Sequence, residues 1–366
     1  MYGGPKLVQP TQAETDSELI KLWLIRYMPT LGVISAPVRR HVKQRLELAI
    51  SDDARRITQQ KILRSLPAAC ARATTEAQQF LSVSGVAYDI WEVRDLTIQI
   101  HKIYETLLSC YAESFVFAPM LDCLETIGSE QGQMDAATRI LPGFNQLIWK
   151  LEPLLRELKM LYRFSSNRQM IGFMTTQLHF TQRHIIKRFD PYERLWLTSY
   201  FQMVEELICM PWRRICTSAL LKTSKLGSIA LAKKMLPRTH AIAESIYRRA
   251  LCDYPHHVSR QGRIQSEAVR ISSIRDINMF QAYLWLCLLE NSLSVIENEL
   301  LPLCLIVFPS TNVQWQLVNQ VIENLMVTIR AQLSASEKEL FTQYAQPIQQ
   351  LFVDANLDYS RALVSA

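Results

Sequence analysis

Seven histidines and a run of cations with no acid among them are the residues of this chain whose types and spacing suggest chemistry. His101 and Glu105 stand four apart, on one face of any helix that carries them. An imidazole titrating near neutrality beside a carboxylate can act as an acid–base pair or hold a water. The same spacing describes an ordinary pair on a helix surface, which is the preferred reading. His179 and His184 are five apart, about 140° around a regular helix, so they do not converge on one metal. His256 and His257, in Tyr254-Pro255-His256-His257-Val258, are placed either to ligate a metal or iron porphyrin axially or to be plain exposed loop residues.

Aromatic side chains gather at Phe180, Phe189, Tyr192, Trp196, Tyr200 and Phe201. They would line a pigment or cofactor pocket between helices, or fill an interhelical core, and the second is the stronger explanation. A helical ligand-, haem- or pigment-binding protein or enzyme using His101, His179, His184 or His256 is therefore the alternative reading of function.

The cations carry the primary reading. Between Glu206 and Glu244 no acid occurs, while Arg213, Arg214, Lys222, Lys225, Lys233, Lys234 and Arg238 supply positive charge, with Trp212, Ile215, Leu220, Leu231 and Leu236 between them. The net charge of +6 conceals blocks of alternating sign: +5 over residues 1–64, −6 over 65–149, +13 over 150–275 and −6 over 276–366. A concentrated positive potential attracts anions, so the expectation is a non-enzymatic helical scaffold or regulatory protein presenting a basic surface to an acidic protein. A peripheral anionic membrane surface fits less well, because Trp212 is the one aromatic anchor in the segment. Nucleic acid fits less again, since no recognition module or stacking platform is legible. A competing explanation is a solvated basic face that answers the chain's own acidic C-terminal block.

Several chemistries lack their residues. There is no Cys-x-x-Cys, no His-Glu-x-x-His and no Glu-x-x-His, so neither a zinc site nor a bundle di-iron centre is expected. With ten glycines in 366 residues, neither Gly-x-Gly-x-x-Gly, nor the P-loop pattern, nor Gly-x-Ser-x-Gly occurs. No metal or cofactor is called for.

The elements that must position these residues read as helices. At 49% apolar and 20% charged the chain can bury a large core, and its scarce glycine argues against hairpin-rich β folds. Asp190-Pro191-Tyr192-Glu193 has an N-cap acceptor, a proline at the first helical position and an acid near the positive dipole end. Thr15-x-x-Glu18 and Ser334-x-x-Glu337 have capping-box spacing. Leu147, Leu151, Leu154, Leu158 and Leu161 keep one seam, with Pro153 either kinking that helix or starting a new one. Pro309-Ser310-Thr311-Asn312 reads as a start signal for the stripe Val318, Val321, Ile322, Leu325 and Ile329.

The expected fold is all-α, an irregular bundle of about a dozen helices with no sheet of consequence. A boundary in Gly128–Gly132 would separate an N-terminal helical region, 1–130, from a larger one, 131–366, that carries the basic segment. The 23-residue charge-free run Leu300–Ile322 is interrupted by Pro302, Pro309 and several amides, so no transmembrane helix is expected. With no apolar leader near Met1 and eight scattered cysteines, the expected setting is cytoplasmic with reduced thiols, possible membrane contact being peripheral only.

Overall fold

The computed structural model describes residues 18–28, 36–81, 88–123, 126, 128–163, 165, 170–220 and 226–364. Among them are fourteen α-helices: α1 (Glu18–Ile25), α2 (Ala36–Ala49), α3 (Asp52–Leu81), α4 (Ile90–Glu113), α5 (Glu130–Arg163), α6 (Met170–Ile186), α7 (Pro191–Cys209), α8 (Trp212–Leu220), α9 (Leu226–Met235), α10 (Thr239–Asp253), α11 (Glu267–Glu290), α12 (Leu301–Ser310), α13 (Trp315–Arg330) and α14 (Ala335–Val364). The only described sheet is a hairpin of β1 (Val258–Ser259) and β2 (Gly262–Arg263), paired antiparallel with Val258 opposite Arg263. The chain is all-α, as its glycine poverty and helical punctuation imply. No described helix is long and apolar enough to cross a membrane.

Contacts group the chain into two compact units. The first takes residues up to Thr74, Ile90–Ser165 and Gln177–Ile208; the second takes Thr75–Asp89, Ser166–Thr176 and Cys209–Ala366. The expected boundary at 130/131 coincides with the start of α5, which lies inside the first unit.

In the first unit, α4 packs on α5 and α5 also receives α1. Val93, Leu96, Ile100, Ile103 and Leu107 recur at three- and four-residue steps along α4, and all are buried. The leucine seam of α5 is buried at Leu147, Leu151 and Leu158, and the helix continues through Pro142 and Pro153 instead of breaking. Its N-terminus is capped by Ser129, whose Oγ accepts from the Gly132 amide at 3.0 Å. Only glycine fits at 132, because a Cβ there would stand 1.9 Å from the Thr126 carbonyl oxygen. The N-cap expected at Asp190 is present, with Oδ1 accepting from the Tyr192 and Glu193 amides at 2.8 and 3.2 Å.

The second unit is organised around α11, which packs against α8, α10 and α14. From Ile277 to Leu289 most of its residues are buried on every face, as a helix apolar all round must be. Ser266 caps its start, and Asn291, with φ of 53°, ends it in the left-handed conformation. Trp315 stacks on Phe352 at 6.2 Å and donates Nε1–H to the Phe352 carbonyl, fastening α13 to α14. The capping box at Ser334 forms on its return side, Glu337 Oε2 accepting from the Ser334 amide at 2.7 Å. Thr15, the cap residue of the other expected box, lies outside the described residues. The Pro309–Asn312 segment ends α12 instead of starting α13. Pro309 is inside α12, Asn312 turns at φ of 59°, and Gln314 is the N-cap of α13.

All eight cysteines are free, six of them buried. Burial pushes the Cys70 thiol up to about 11 and that of Cys216 up to about 12, so both are inert packing groups at neutral pH.

Candidate functional site: the basic face of the second unit

The cations of the acid-free window differ in exposure and in how the fold holds them. Arg214, on α8, makes a two-pronged pair with Glu290 at the end of α11, Nε donating to Oε1 at 2.6 Å, while its third nitrogen reaches Glu299 at 3.0 Å. Ser218 Oγ adds a bond to the same Glu290 oxygen at 2.9 Å. Lys234, in the last turn of α9, pairs with Glu337 at the start of α14 at 2.6 Å. Arg238 donates to the neutral side-chain oxygen of Gln332 at 3.1 Å. Arg213 is exposed and Lys233 half-buried. Lys222 and Lys225 lie outside the described residues.

Arg214 and Lys234 are thus answered by the acidic C-terminal block, contrary to the expectation that the whole window stands uncompensated. The carboxylates come from 76 to 103 residues away, beyond the reach of any local charge count.

The Lys234–Glu337 pair has a measurable consequence. The bond from Lys234, helped by the Ser334 amide, holds the Glu337 carboxyl at about 2 instead of 4.5. Since the folded value is the lower, the pair stabilises above pH 4.5 and its contribution disappears as pH falls from there toward 2. Both side chains are partly solvated, so the effect is about 0.5 to 1 kcal/mol after screening. Lys234→Met should flatten the acid limb of the stability–pH curve between pH 5 and 2. An unaltered limb in denaturant titrations would show that the pair contributes nothing.

Exposed cations continue past the window, along α10. Glu244, the acid that closes the window in sequence, is taken by Arg270 of α11 at 2.6 Å, and Arg270 also pairs with Glu267 at 2.9 Å. Arg248 and Arg249, one turn further along, are exposed and make no ion pair among the described residues; Arg248 reaches only the Glu244 carbonyl at 3.4 Å. Arg238, Ala241, Ser245, Arg248, Arg249 and Cys252 are all exposed and fall at helical spacing. This stretch was not legible as part of the site because one acid stood between it and the window. The signal was available in the composition of α10 itself, where Arg248-Arg249 follow Glu244 at i+4 and i+5.

The histidines of the alternative reading are dispersed. His101 Nδ1 stands 3.4 Å from Glu105 on the same helix, the surface pair its spacing implies, and His179 Nδ1 stands 3.8 Å from Glu205. His184 is half-buried on α6, and His256 is exposed in the turn before β1. Among the described residues no three His, Cys, Asp or Glu side chains come together as a metal set would. The aromatic residues Trp196, Tyr200 and Phe201 are fully buried in the first unit. Comparison with family models, curated proteins and solved structures finds no match, so the functional reading rests on this chain's own residues.

Proposed function

We propose that this chain is a helical interaction protein that recruits an acidic protein surface through the basic side chains leading into and along the outer face of α10. The observation that carries the reading is the pair Arg248 and Arg249, exposed on a helix whose Glu244 is already held by Arg270 and whose other acid, the exposed Asp253 at its end, makes no ion pair with either arginine. Arg238, bonded to a neutral amide, keeps its charge for a partner at the start of the same face. Long-range attraction would steer the encounter and fix orientation, with modest gain in affinity per exposed pair.

An acidic protein is favoured over a bilayer because the face interposes Ala241, Ser245 and Cys252 between its arginines and has no large apolar residue to enter the headgroup layer. The full chain should bind a fluorescent poly-glutamate peptide with affinity that falls steeply between 50 and 300 mM salt, as screened charge attraction does. Arg248→Glu with Arg249→Glu should weaken that binding at least about tenfold at low salt, equivalent to ~1.4 kcal/mol. Unchanged affinity in the reversed variant, or tighter binding to phosphatidylserine vesicles or a DNA duplex than to the peptide, would sink the proposal.

A further inference from the structure

The second unit contains a cavity of about 130 Å³ that the basic face does not involve. One wall is the β1–β2 hairpin and its approach, which contribute His257, Ser259 and Gln261. The other walls are helical and supply apolar surface through Phe280 from α11, Phe308 from α12 and Val318 from α13. Polar groups therefore line the cavity at the hairpin, on α6 at Thr175 and Thr176 and on the first half of α11, with hydrocarbon between them, the composition expected of a small-molecule pocket.

Its polar groups fall into two sets. Tyr247 donates to the Ile264 carbonyl at 2.7 Å, Ser259 to Gly262 at 3.2 Å and Ser272 to Val269 at 3.1 Å, so these hydroxyl protons are committed to the fold. Arg275 and Asp276 pair with each other at 3.1 Å, and the wall presents no net charge from them. The His257 imidazole, the Gln261 carboxamide and the Ser273 hydroxyl make no hydrogen bond within the protein among the described residues, although all three line the cavity. Burial pushes the His257 imidazole below its ordinary value, so at neutral pH it offers one donor and one acceptor instead of a cation.

Size and polarity together narrow the ligand. A cavity on the order of 150 Å³ lined by aliphatic and aromatic side chains holds one benzene ring. A charged ligand would lack a counter-charge here and would lose its hydration. We propose that this cavity binds an uncharged single-ring aromatic alcohol, its ring against Phe280, Phe308 and Val318 and its hydroxyl hydrogen-bonded to His257 and Gln261. The hydroxyl donates to one of the two side chains and accepts from the other.

The test uses the full chain with phenol and benzene as probes, followed by calorimetry and by ligand-observed NMR. Phenol should bind saturably at one site per chain, and more tightly than benzene. His257→Ala and Gln261→Ala, both at partly exposed positions outside the helices, should each weaken phenol about three- to tenfold and leave benzene unchanged, the expected loss for one hydrogen bond. Ala250→Leu, which fills the cavity from α10, should abolish binding of both probes while the helical circular dichroism is retained. If neither probe saturates, if phenol binds both hairpin variants as it binds the parent, or if the folded Ala250→Leu chain keeps parental affinity, the assignment is overturned. Should Ala250→Leu fail to fold, the contrast between phenol and benzene in the two hairpin variants decides.

Discussion

Replacing Glu206 by alanine is expected to lower the free energy of unfolding by about 3 to 5 kcal/mol, the usual cost of breaking a buried ion pair from one side. Glu206, on α7, is 2% exposed, and every oxygen it has is used. Its Oε2 accepts from the Tyr27 hydroxyl at 2.5 Å and faces the Arg26 guanidinium at 3.2 Å; its Oε1 accepts from Gln202 Nε2 at 3.2 Å. Trp23 Nε1 in turn donates to the Tyr27 oxygen at 2.6 Å, so the carboxylate terminates a chain of bonds that pins the end of α1 within the first unit. Burial, and then the charge of Glu206, pushes the Tyr27 hydroxyl well above its ordinary value, which keeps it a donor across the whole stability range of a typical protein. Alanine at 206 would leave the guanidinium of Arg26, 6% exposed, with its charge buried and this carboxylate lost. Glu206→Gln should fall between, because it keeps the shape and part of the bonding but not the charge. A double change of Glu206 and Arg26 to Met should recover much of the loss, since an apolar pair of similar volume avoids the desolvation of two ions. Urea unfolding of the three variants checks this ordering, and an alanine variant within 1 kcal/mol of the parent would contradict it.

Glu206 also shows where reading the sequence ends. In the linear chain it is merely the acid that bounds a cationic window, and nothing local announces that its carboxylate belongs to residues 179 and 180 positions earlier. What was legible depended on short-range physics. The Asp190 cap, the return bond of Glu337 to Ser334 and the periodic faces of α5 and α13 each follow from residues within a turn or two of one another. The helix that organises the second unit was not legible by the same route. A stripe is visible only when the opposite face is polar, and in α11 the run Phe280-Gln281-Ala282-Tyr283-Leu284-Trp285 is buried throughout, so it has no periodic signal. Pro309 misled for a related reason. Proline is tolerated in the last turn of α12, and the break was set by Asn312, whose side chain reaches the Val258 carbonyl of the hairpin at 2.9 Å. The basic face was legible as a charge excess but not as a surface, because its share of neutralisation was decided by Glu290, Glu299 and Glu337 arriving through tertiary packing.

Truncating Trp196 to alanine is the second large effect, about 3 to 5 kcal/mol, and it decides between a core and a pocket for the aromatic cluster of α7. Trp196 is fully buried, with its ring 5.5 Å from that of Phe115 and nearly perpendicular to it; Phe115 meets Tyr200 at 5.8 Å, and Tyr200 meets Tyr111 at 5.6 Å. Edge-to-face and tilted contacts of this kind add to the burial of large rings, and Tyr200 is fixed further by its bond to the Leu107 carbonyl at 3.1 Å. Tyr192, one turn earlier, is half-buried beneath Arg45 at 5.3 Å, so Tyr192→Ala should cost only about 0.5 to 1 kcal/mol, the loss of a surface cation–π contact. The indole nitrogen of Trp196 has no hydrogen-bond partner within the protein. Trp196→Phe therefore removes an unsatisfied donor together with part of the ring, and should cost well under half as much as alanine. If the cluster instead framed a cavity waiting for a pigment, its rings would line empty space, and cutting one back would enlarge that space at little cost to the ligand-free chain. Denaturant midpoints for the three variants separate the two cases. Near-equal stability of Trp196→Ala and Tyr192→Ala would favour the pocket, whereas a gap of several kcal/mol follows from rings that already fill one another's space.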